Sequence, residues 1–353
     1  MKGILIHGGH VTRLRPLTHT GPKQLLPIAN KPMSEYCIES MKDAGVTEIA
    51  IIIGGIGSNK VREYYGDGEK FDVKITYVKQ DEPLGISHAI NLCRSFIGDE
   101  KFLVFLGDNI IQKNIYNFAN EFLNSNDDAS ILLCEVDNPS RFGIADMHDG
   151  KITKIMEKPK DPPTNFEVTG IYFLTPKIFD VIDNLKPSWR NELEITDALQ
   201  ILLSENNISY HIITDYWKDT GTPEDIINAN RAILENKTSY FYGEKSDESL
   251  ITGTVLIGKG TKILGNSKIK GPAIIGEHCI IENVSIGSNT SVGNNSKLHQ
   301  CTIENSIVME DCKIDSPIKI DKSIISTNSQ ITNKNNENEN KIFLLGEGTR
   351  IIL

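Results

Sequence analysis

Ile257-Gly258-Lys259-Gly260-Thr261-Lys262-Ile263-Leu264-Gly265-Asn266-Ser267-Lys268-Ile269-Lys270-Gly271-Pro272-Ala273-Ile274-Ile275 repeats an isoleucine every six residues. Ile281 continues the series. The phase then slips by one to Ile286 and resumes at Val292 and Leu298. Small residues follow several of these positions, as in Ile257-Gly258, Ile275-Gly276, Ile286-Gly287 and Val292-Gly293. A period of six is neither that of a helix nor that of an ordinary strand. It predicts short strands wound into a solenoid, three to a coil, with the aliphatic side chain pointing inward. Helical patterns are absent after about Phe241. The polar run 333–340 reads as a loop, and Phe343-Leu344-Leu345 supplies a last apolar strand.

Upstream the texture is different. Strand-like runs at Gly3–Ile6, Glu48–Ile53, Val73–Val78, Phe102–Leu106, Ser130–Glu135, Val168–Leu174 and Tyr210–Ile213 alternate with helical patterns at Lys31–Ala44, Gly85–Phe96, Ile115–Asn124 and Thr196–Ser204. Unbroken β-branched runs such as Ile49-Ala50-Ile51-Ile52-Ile53 suit strands covered on both faces. The alternation predicts an α/β domain with a Rossmann-like, mainly parallel sheet over residues 1–240, followed by the repeat domain over 241–353. In such sheets ligands bind at the carboxyl ends of strands, so chemistry is sought in the loops after them.

At 353 residues the chain has room for two domains. Its 37 basic and 47 acidic residues leave a net charge of −10, which disfavours nucleic acid and anionic membrane as general partners. No apolar run approaches the ~20 residues of a membrane span, and the N-terminus reads as a buried strand. The six cysteines form no C-x-x-C pair. Scattered thiols in an acidic chain suit the cytoplasm, without zinc.

The first strand runs into Gly8-Gly9-His10-Val11-Thr12-Arg13-Leu14-Arg15-Pro16-Leu17-Thr18, then Gly21-Pro22-Lys23-Gln24-Leu25-Leu26-Pro27. Glycines at a strand end let backbone N–H groups approach an anion. Arg13 adds a planar fork for phosphate oxygens and Lys23 a point charge. Together the two stretches resemble the N-terminal signature of sugar-1-phosphate nucleotidyltransferases, G-G-x-G-T-R-L-x-P-L-T followed by P-K-x-x-L-P. Val11 replaces the third glycine, and a β-branched residue is badly placed if that site needs positive φ. His7 stands where the family usually has Ala. The His7 and His10 pair is not the family's metal site.

Further segments follow in the family's order. Gln80-Asp81-Glu82-Pro83-Leu84-Gly85-Ile86 resembles its base-recognition loop, Phe105-Leu106-Gly107-Asp108-Asn109 its first metal carboxylate and Trp217-Lys218-Asp219-Thr220-Gly221-Thr222 its second. Arg141-Phe142-Gly143, Glu157-Lys158-Pro159, Val168-Thr169-Gly170-Ile171-Tyr172 and Glu192-Leu193-Glu194-Ile195-Thr196-Asp197 resemble its sugar-side segments. The resemblance implies Mg²⁺ on Asp108 and Asp219, with Arg13, Lys23, Asp108, Lys158 and Asp219 carrying catalysis. It implies nucleotide contacts from Ile6, Gly8, Gly9, Thr12, Arg13, Gln24, Gln80, Pro83 and Gly85. On the sugar-phosphate side it implies Gly143, Glu157, Lys158, Val168, Thr169, Tyr172, Arg190 and Trp217.

The segment 18–32 and the ending Leu344-Leu345-Gly346-Glu347-Gly348-Thr349 resemble long-form glucose-1-phosphate thymidylyltransferases, in which the repeats form a left-handed parallel β-helix. That branch implies dTTP and α-D-glucose 1-phosphate as substrates and a homo-oligomer. Three alternatives stand beside it. One is UTP or another sugar 1-phosphate. A second is added acyl transfer by the repeats, for which His278 and His299 are candidates by residue type only. The third is a weakened regulatory paralogue, because of Val11. The repeat domain is expected to serve assembly, so that truncation near Phe241 changes the oligomer and spares nucleotide binding.

Overall fold

The computed structural model describes residues 1–7, 13–205, 208–332, 340–341 and 343–352. Gly8, Gly9, His10, Val11 and Thr12 lie outside these, as does nearly all of the loop expected at 333–340. The chain forms two compact units. One holds the described residues of 1–10 together with 34–219; the other holds those of 11–33 and 220–353. Compactness and sequence texture thus divide the chain at different places. The described residues of 11–33 group with the repeats.

The first unit is a mixed nine-stranded sheet. Four parallel strands form its core: β1 (Lys2–His7), β2 (Glu48–Ile53), β3 (Lys74–Lys79) and β4 (Phe102–Leu106), in the order β4-β1-β2-β3. The strand Phe166–Leu174 extends this core antiparallel to β4. It pairs in turn with Ala129–Glu135 and touches the hairpin Gly143–His148/Lys151–Glu157 at Glu167. Ile208–Ile213 closes the edge, parallel to Ala129–Glu135. Ile49, Ala50, Ile51 and Ile52 are fully buried, as a run covered on both faces requires. The helical patterns become Met33–Asp43, Ile86–Asn91 with Arg94–Ile97, Tyr116–Asn124 and Ile195–Ser204. Helices Ser58–Tyr65, Lys177–Asp183 and Pro223–Glu235 were not read from the sequence.

The second unit contains a left-handed parallel β-helix of three all-parallel sheets. Ile257, Ile275, Val292, Val308 and Ile325 stack in one column. Ile263, Ile281, Leu298, Ile314 and Ile331 form the second, and Ile269, Ile286, Ile303 and Ile320 the third. Each of these residues is at most 1% exposed. The slip from 281 to 286 is a five-residue step between rungs of unchanged register. Asn283, Asn289, Asn295 and Asn305 turn corners at φ 46–60°, a region Asn tolerates because its short amide bonds locally. Cys279, Cys301 and Cys312 fill the same core as free thiols.

Candidate active site

The loop after β4 carries Asp108, and a short antiparallel ladder brings Asp219 beside it. Asn109, Ile110 and Ile111 pair with Asp219, Lys218 and Trp217 respectively. The two aspartates, 111 residues apart in sequence, are thus one residue out of register on adjacent strands. Asn109 organises this corner. It is 3% exposed; its Nδ2 donates to Asp108 Oδ1 at 3.0 Å, while its Oδ1 accepts from Trp217 Nε1 at 3.0 Å and Gly170 N at 3.1 Å. A Cβ at Gly170 would lie 2.7 Å from Leu106 and 2.8 Å from Asn109 Nδ2, so only glycine fits.

Two buried groups border the aspartates. His7 closes β1, and neither ring nitrogen has a hydrogen-bond partner among the described residues. Burial holds its pKa down at about 3 against a weaker upward pull from Asp108, so the imidazole is neutral. Glu167 is 5% exposed, with Oε2 unpartnered among the described residues. Burial first, then the Asp219 charge, pushes its pKa up to about 9, so it is a protonated acid at neutral pH.

The sugar-side residues gather around Glu157. Gly143 pairs with Glu157 across the hairpin. Glu157 Oε1 meets Lys158 Nζ at 2.9 Å and Arg190 Nη1 at 3.2 Å, and Oε2 accepts from Thr196 Oγ1 at 3.1 Å. Arg190 also reaches Glu192 at 3.0 Å and Glu194 at 3.4 Å. Lys158 has φ 41°, a left-handed conformation costing roughly 1–2 kcal/mol outside glycine. Such strain clusters at functional sites. Val168 and Tyr172 are buried; Thr169 is fully buried with its hydroxyl unpartnered among the described residues.

The base-recognition candidates pack on the sugar segment. Gln80 Nε2 lies 3.3 Å from Gly85 O and 3.0 Å from His88 Nδ1. Gly85 has φ 105°, and a Cβ there would meet Leu193 O at 2.4 Å. Leu193 N donates to Leu84 O at 2.8 Å, Ser87 N to Leu193 O at 3.2 Å, and Ser87 Oγ to Glu194 O at 3.0 Å. The stretches 84–87 and 193–194 are therefore tied to each other by three hydrogen bonds. Ile6 is buried near the end of β1, while Pro83 is exposed. Arg13, Lys23 and Gln24 belong to the second unit. Arg13 is exposed, whereas Lys23 and Gln24 are buried in a 3₁₀ turn, Lys23–Leu25.

A model of the nucleotidyl transferase family matches residues 2–236. The chain belongs to the nucleotidyl transferase family. It is 47% identical over 257 residues, 72% of each chain, to the low-salt glycan biosynthesis nucleotidyltransferase Agl11 of Haloferax volcanii. It is 38% identical over 354 residues, 99% of each chain, to a glucose-1-phosphate thymidylyltransferase of Streptomyces antibioticus. A sucrose-bound Bacillus anthracis structure, named only provisionally as a glucose-1-phosphate thymidylyltransferase, is 39% identical with a TM-score of 0.64. That likeness covers 68% of this chain and 97% of the other.

With the family shown, its members' divalent metal can be weighed against the residues present. Asp108 and Asp219 are hard oxygen donors on adjacent strands. Among the described residues no group of three or more His, Cys, Asp or Glu side chains is arranged to hold a metal ion. Two carboxylates with room for water and phosphate oxygens suit Mg²⁺, which keeps much of its hydration. The donor set fits. Sequence reading gave no role to Asn109, Glu167, Thr196 or His88. Asn109 and Thr196 sat inside quoted motifs; Asn109 stands next to an assigned carboxylate, Asp108, which was an available signal, while Thr196 adjoins none.

Proposed function

We propose that this protein transfers a thymidylyl group from dTTP to α-D-glucose 1-phosphate, giving dTDP-glucose and pyrophosphate. The observation that carries this reading is the likeness to the Streptomyces antibioticus thymidylyltransferase over 99% of both chains, repeats included. The ladder between Asn109 and Asp219 supports it by gathering the two acidic motifs.

An oxygen of the sugar phosphate attacks the α-phosphorus in line, and pyrophosphate leaves. The nucleophile is already an anion, so alignment and charge neutralisation do the catalysis, with no general base. Mg²⁺ held by Asp108 and Asp219 would supply positive charge for the nucleotide phosphates. Arg13 and Lys23 are assigned to the triphosphate and the leaving pyrophosphate. Ile6, Gly8, Gly9, Thr12, Gln24, Gln80, Pro83 and Gly85 are assigned to the nucleotide. Lys158 holds the acceptor phosphate, exchanging its Glu157 partner for it, with Arg190 beside it. Glu157 accepts from sugar hydroxyls, and Gly143, Val168, Thr169, Tyr172 and Trp217 shape the sugar side. A homo-oligomer in the cytoplasm completes the reading; no helix among the described residues is long and apolar enough to cross a membrane.

A second reading, with UTP or another sugar 1-phosphate, rests on the 47% identity to a glycan biosynthesis nucleotidyltransferase. Pyrophosphate release across five nucleoside triphosphates and several sugar 1-phosphates separates the two. The first expects the highest kcat/KM for dTTP with glucose 1-phosphate. Turnover of no pair would favour a regulatory paralogue.

A further inference from the structure

The hairpin immediately after the Lys23–Leu25 turn is bolted to the β-helix. Pro27–Ile28 and Lys31–Pro32 pair antiparallel around a two-residue turn, Ala29-Asn30. Both turn residues are left-handed, at φ 48° and 63°, as a type I′ turn demands. Alanine does not favour that region, so something must hold it there. Ala29 N donates to Asn230 Oδ1 at 2.8 Å. Asn230 sits on helix Pro223–Glu235 and is fully buried. The same Oδ1 accepts from Ser291 Oγ at 2.6 Å, and Nδ2 donates to Asn289 O at 3.1 Å. Asn30 Nδ2 donates to Val292 O at 2.7 Å. Two successive turn residues are therefore tied to rung residues 289–292, one through Asn230 and one directly.

The rung end of this clamp is itself braced. Asn289 Nδ2 donates to Asn305 Oδ1 at 2.9 Å, and Asn305 Nδ2 to Asp321 Oδ1 at 2.9 Å, a ladder over three coils. The proximal end leads straight to the motif. Leu26 N bonds to Lys23 O at 2.9 Å and Met33 N to Leu26 O at 3.1 Å. A second contact lies at the last rung, where a Cβ on Gly346 would come within 3.3 Å of Pro16 Cβ. Only an amide serves at position 230. Its oxygen has two lone pairs for Ala29 and Ser291, and its nitrogen supplies the proton that Asn289 O needs.

We propose that Asn230 is a positioning residue for the nucleotide site, fixing the Lys23–Gln24 segment to the β-helix through the Ala29–Asn30 turn. This rests on the assignment of Lys23 and Gln24 to the nucleotide. The β-helix is then part of the binding machinery, not only an assembly module. Truncation near Phe241 should weaken nucleotide binding, the opposite of what the repeat pattern alone leads one to expect.

The test uses the full chain with Asn230→Ala and Asn30→Gly. Each removes buried or half-buried hydrogen bonds, worth roughly a factor of five to ten apiece in an equilibrium constant. KM for dTTP should rise about tenfold in Asn230→Ala and about threefold or more in Asn30→Gly. KM for glucose 1-phosphate should stay within about twofold. Amide exchange over 23–33 should accelerate in both variants, with the rungs after 305 unchanged. Equal changes in both KM values, or unchanged exchange over 23–33, would overturn the proposal. If the unmodified chain turns over no substrate pair, the reading of function fails, and the exchange measurement still judges the clamp. Should Asn230→Ala not fold, Asn30→Gly decides alone, since glycine adopts φ 63° without strain.

Discussion

The sheet and the β-helix bury the same kind of residue by different rules. In the sheet, Ile49-Ala50-Ile51-Ile52-Ile53 is buried along its whole length because helices cover both faces. In the β-helix one aliphatic residue per strand goes inward, with Cys279, Val284, Cys301 and Cys312 filling the core between strands, and Lys262, Lys297 and Lys313 flank the inward positions on the outside. The sheet has few polar exceptions. Glu167 and Thr169 are polar groups buried in the strand Phe166–Leu174, Asn109 joins them from the short ladder, and Ser130 is buried at the other end of the neighbouring strand. The β-helix spreads its polar groups evenly at corners. Buried polar groups are thus irregularly placed in the sheet and a repeated structural device in the solenoid.

The sharpest way to break this comparison is at the aspartates. Asp108→Asn and Asp219→Asn should each cost roughly three orders of magnitude in turnover or more, because the negative charge that would hold Mg²⁺ for the nucleotide phosphates is halved. Thermal unfolding should shift by only a few degrees. A variant that keeps activity would remove Asp108 and Asp219 from the chemistry. Lys158→Ala comes next, with an expected loss of about 10² in kcat/KM for the sugar phosphate. Binding of dTTP, measured by calorimetry, should hold within about twofold. Weakened nucleotide binding alone would mean that the phosphate roles are exchanged.

Much of this was legible before any coordinates. The period of six predicts the columns at 257, 263 and 269 because inward burial is the only role those positions have. The β-branched runs predict the parallel strands for the same reason. Helix Pro223–Glu235 was missed although Ile226, Ala229, Ile233 and Leu234 form a buried stripe. Asn230 interrupts that stripe, and its partners at 29, 289 and 291 are far away in sequence. Glu167 was missed because it stands just before the strand-like run Val168–Leu174, whereas the strand itself begins at Phe166. The described residues of 11–33 were placed with the sheet because chain order suggests it; they group with the described residues of 220–353, and the hydrogen bonds of Ala29 and Asn30 there are encoded by no local pattern.

Core truncations sharpen the contrast at a smaller scale. Ile51→Ala in the sheet and Ile314→Ala in the β-helix each remove a fully buried side chain, at a cost of about 2–5 kcal/mol. Their reach should differ. Solenoid rungs touch only their neighbours, so Ile314→Ala should lose amide protection first in the adjoining strands Lys297–His299 and Gln330–Thr332. Ile51→Ala should lower protection across β1 to β4 together. Hydrogen exchange followed by mass spectrometry checks this, and a uniform loss in Ile314→Ala would deny the β-helix its local character.

The last contrast is read against pH. Glu167 has its pKa raised from 4.5 to about 9 by burial and the neighbouring Asp219. Between those values the folded chain holds a proton that the unfolded chain has released. Stability therefore falls as pH rises through this window, by at most about 1.4 kcal/mol per pH unit for one group. Below pH 4.5 both states are protonated and the slope vanishes. Glutamine keeps the shape and cannot ionise, so Glu167→Gln should match the parent near pH 4.5 and gain on it steadily towards pH 8. The β-helix provides the control. Ser316 is 1% exposed with its hydroxyl unpartnered among the described residues, and it does not titrate. Ser316→Ala should change stability by the same amount at every pH. Urea unfolding of the chelator-treated protein at pH 5, 6.5 and 8 compares the two, since a cation near Asp219 would otherwise offset the effect. Parallel pH profiles for Glu167→Gln and the parent would show that Glu167 is ionised in the folded chain, with a partner for the Oε2 that stands alone among the described residues.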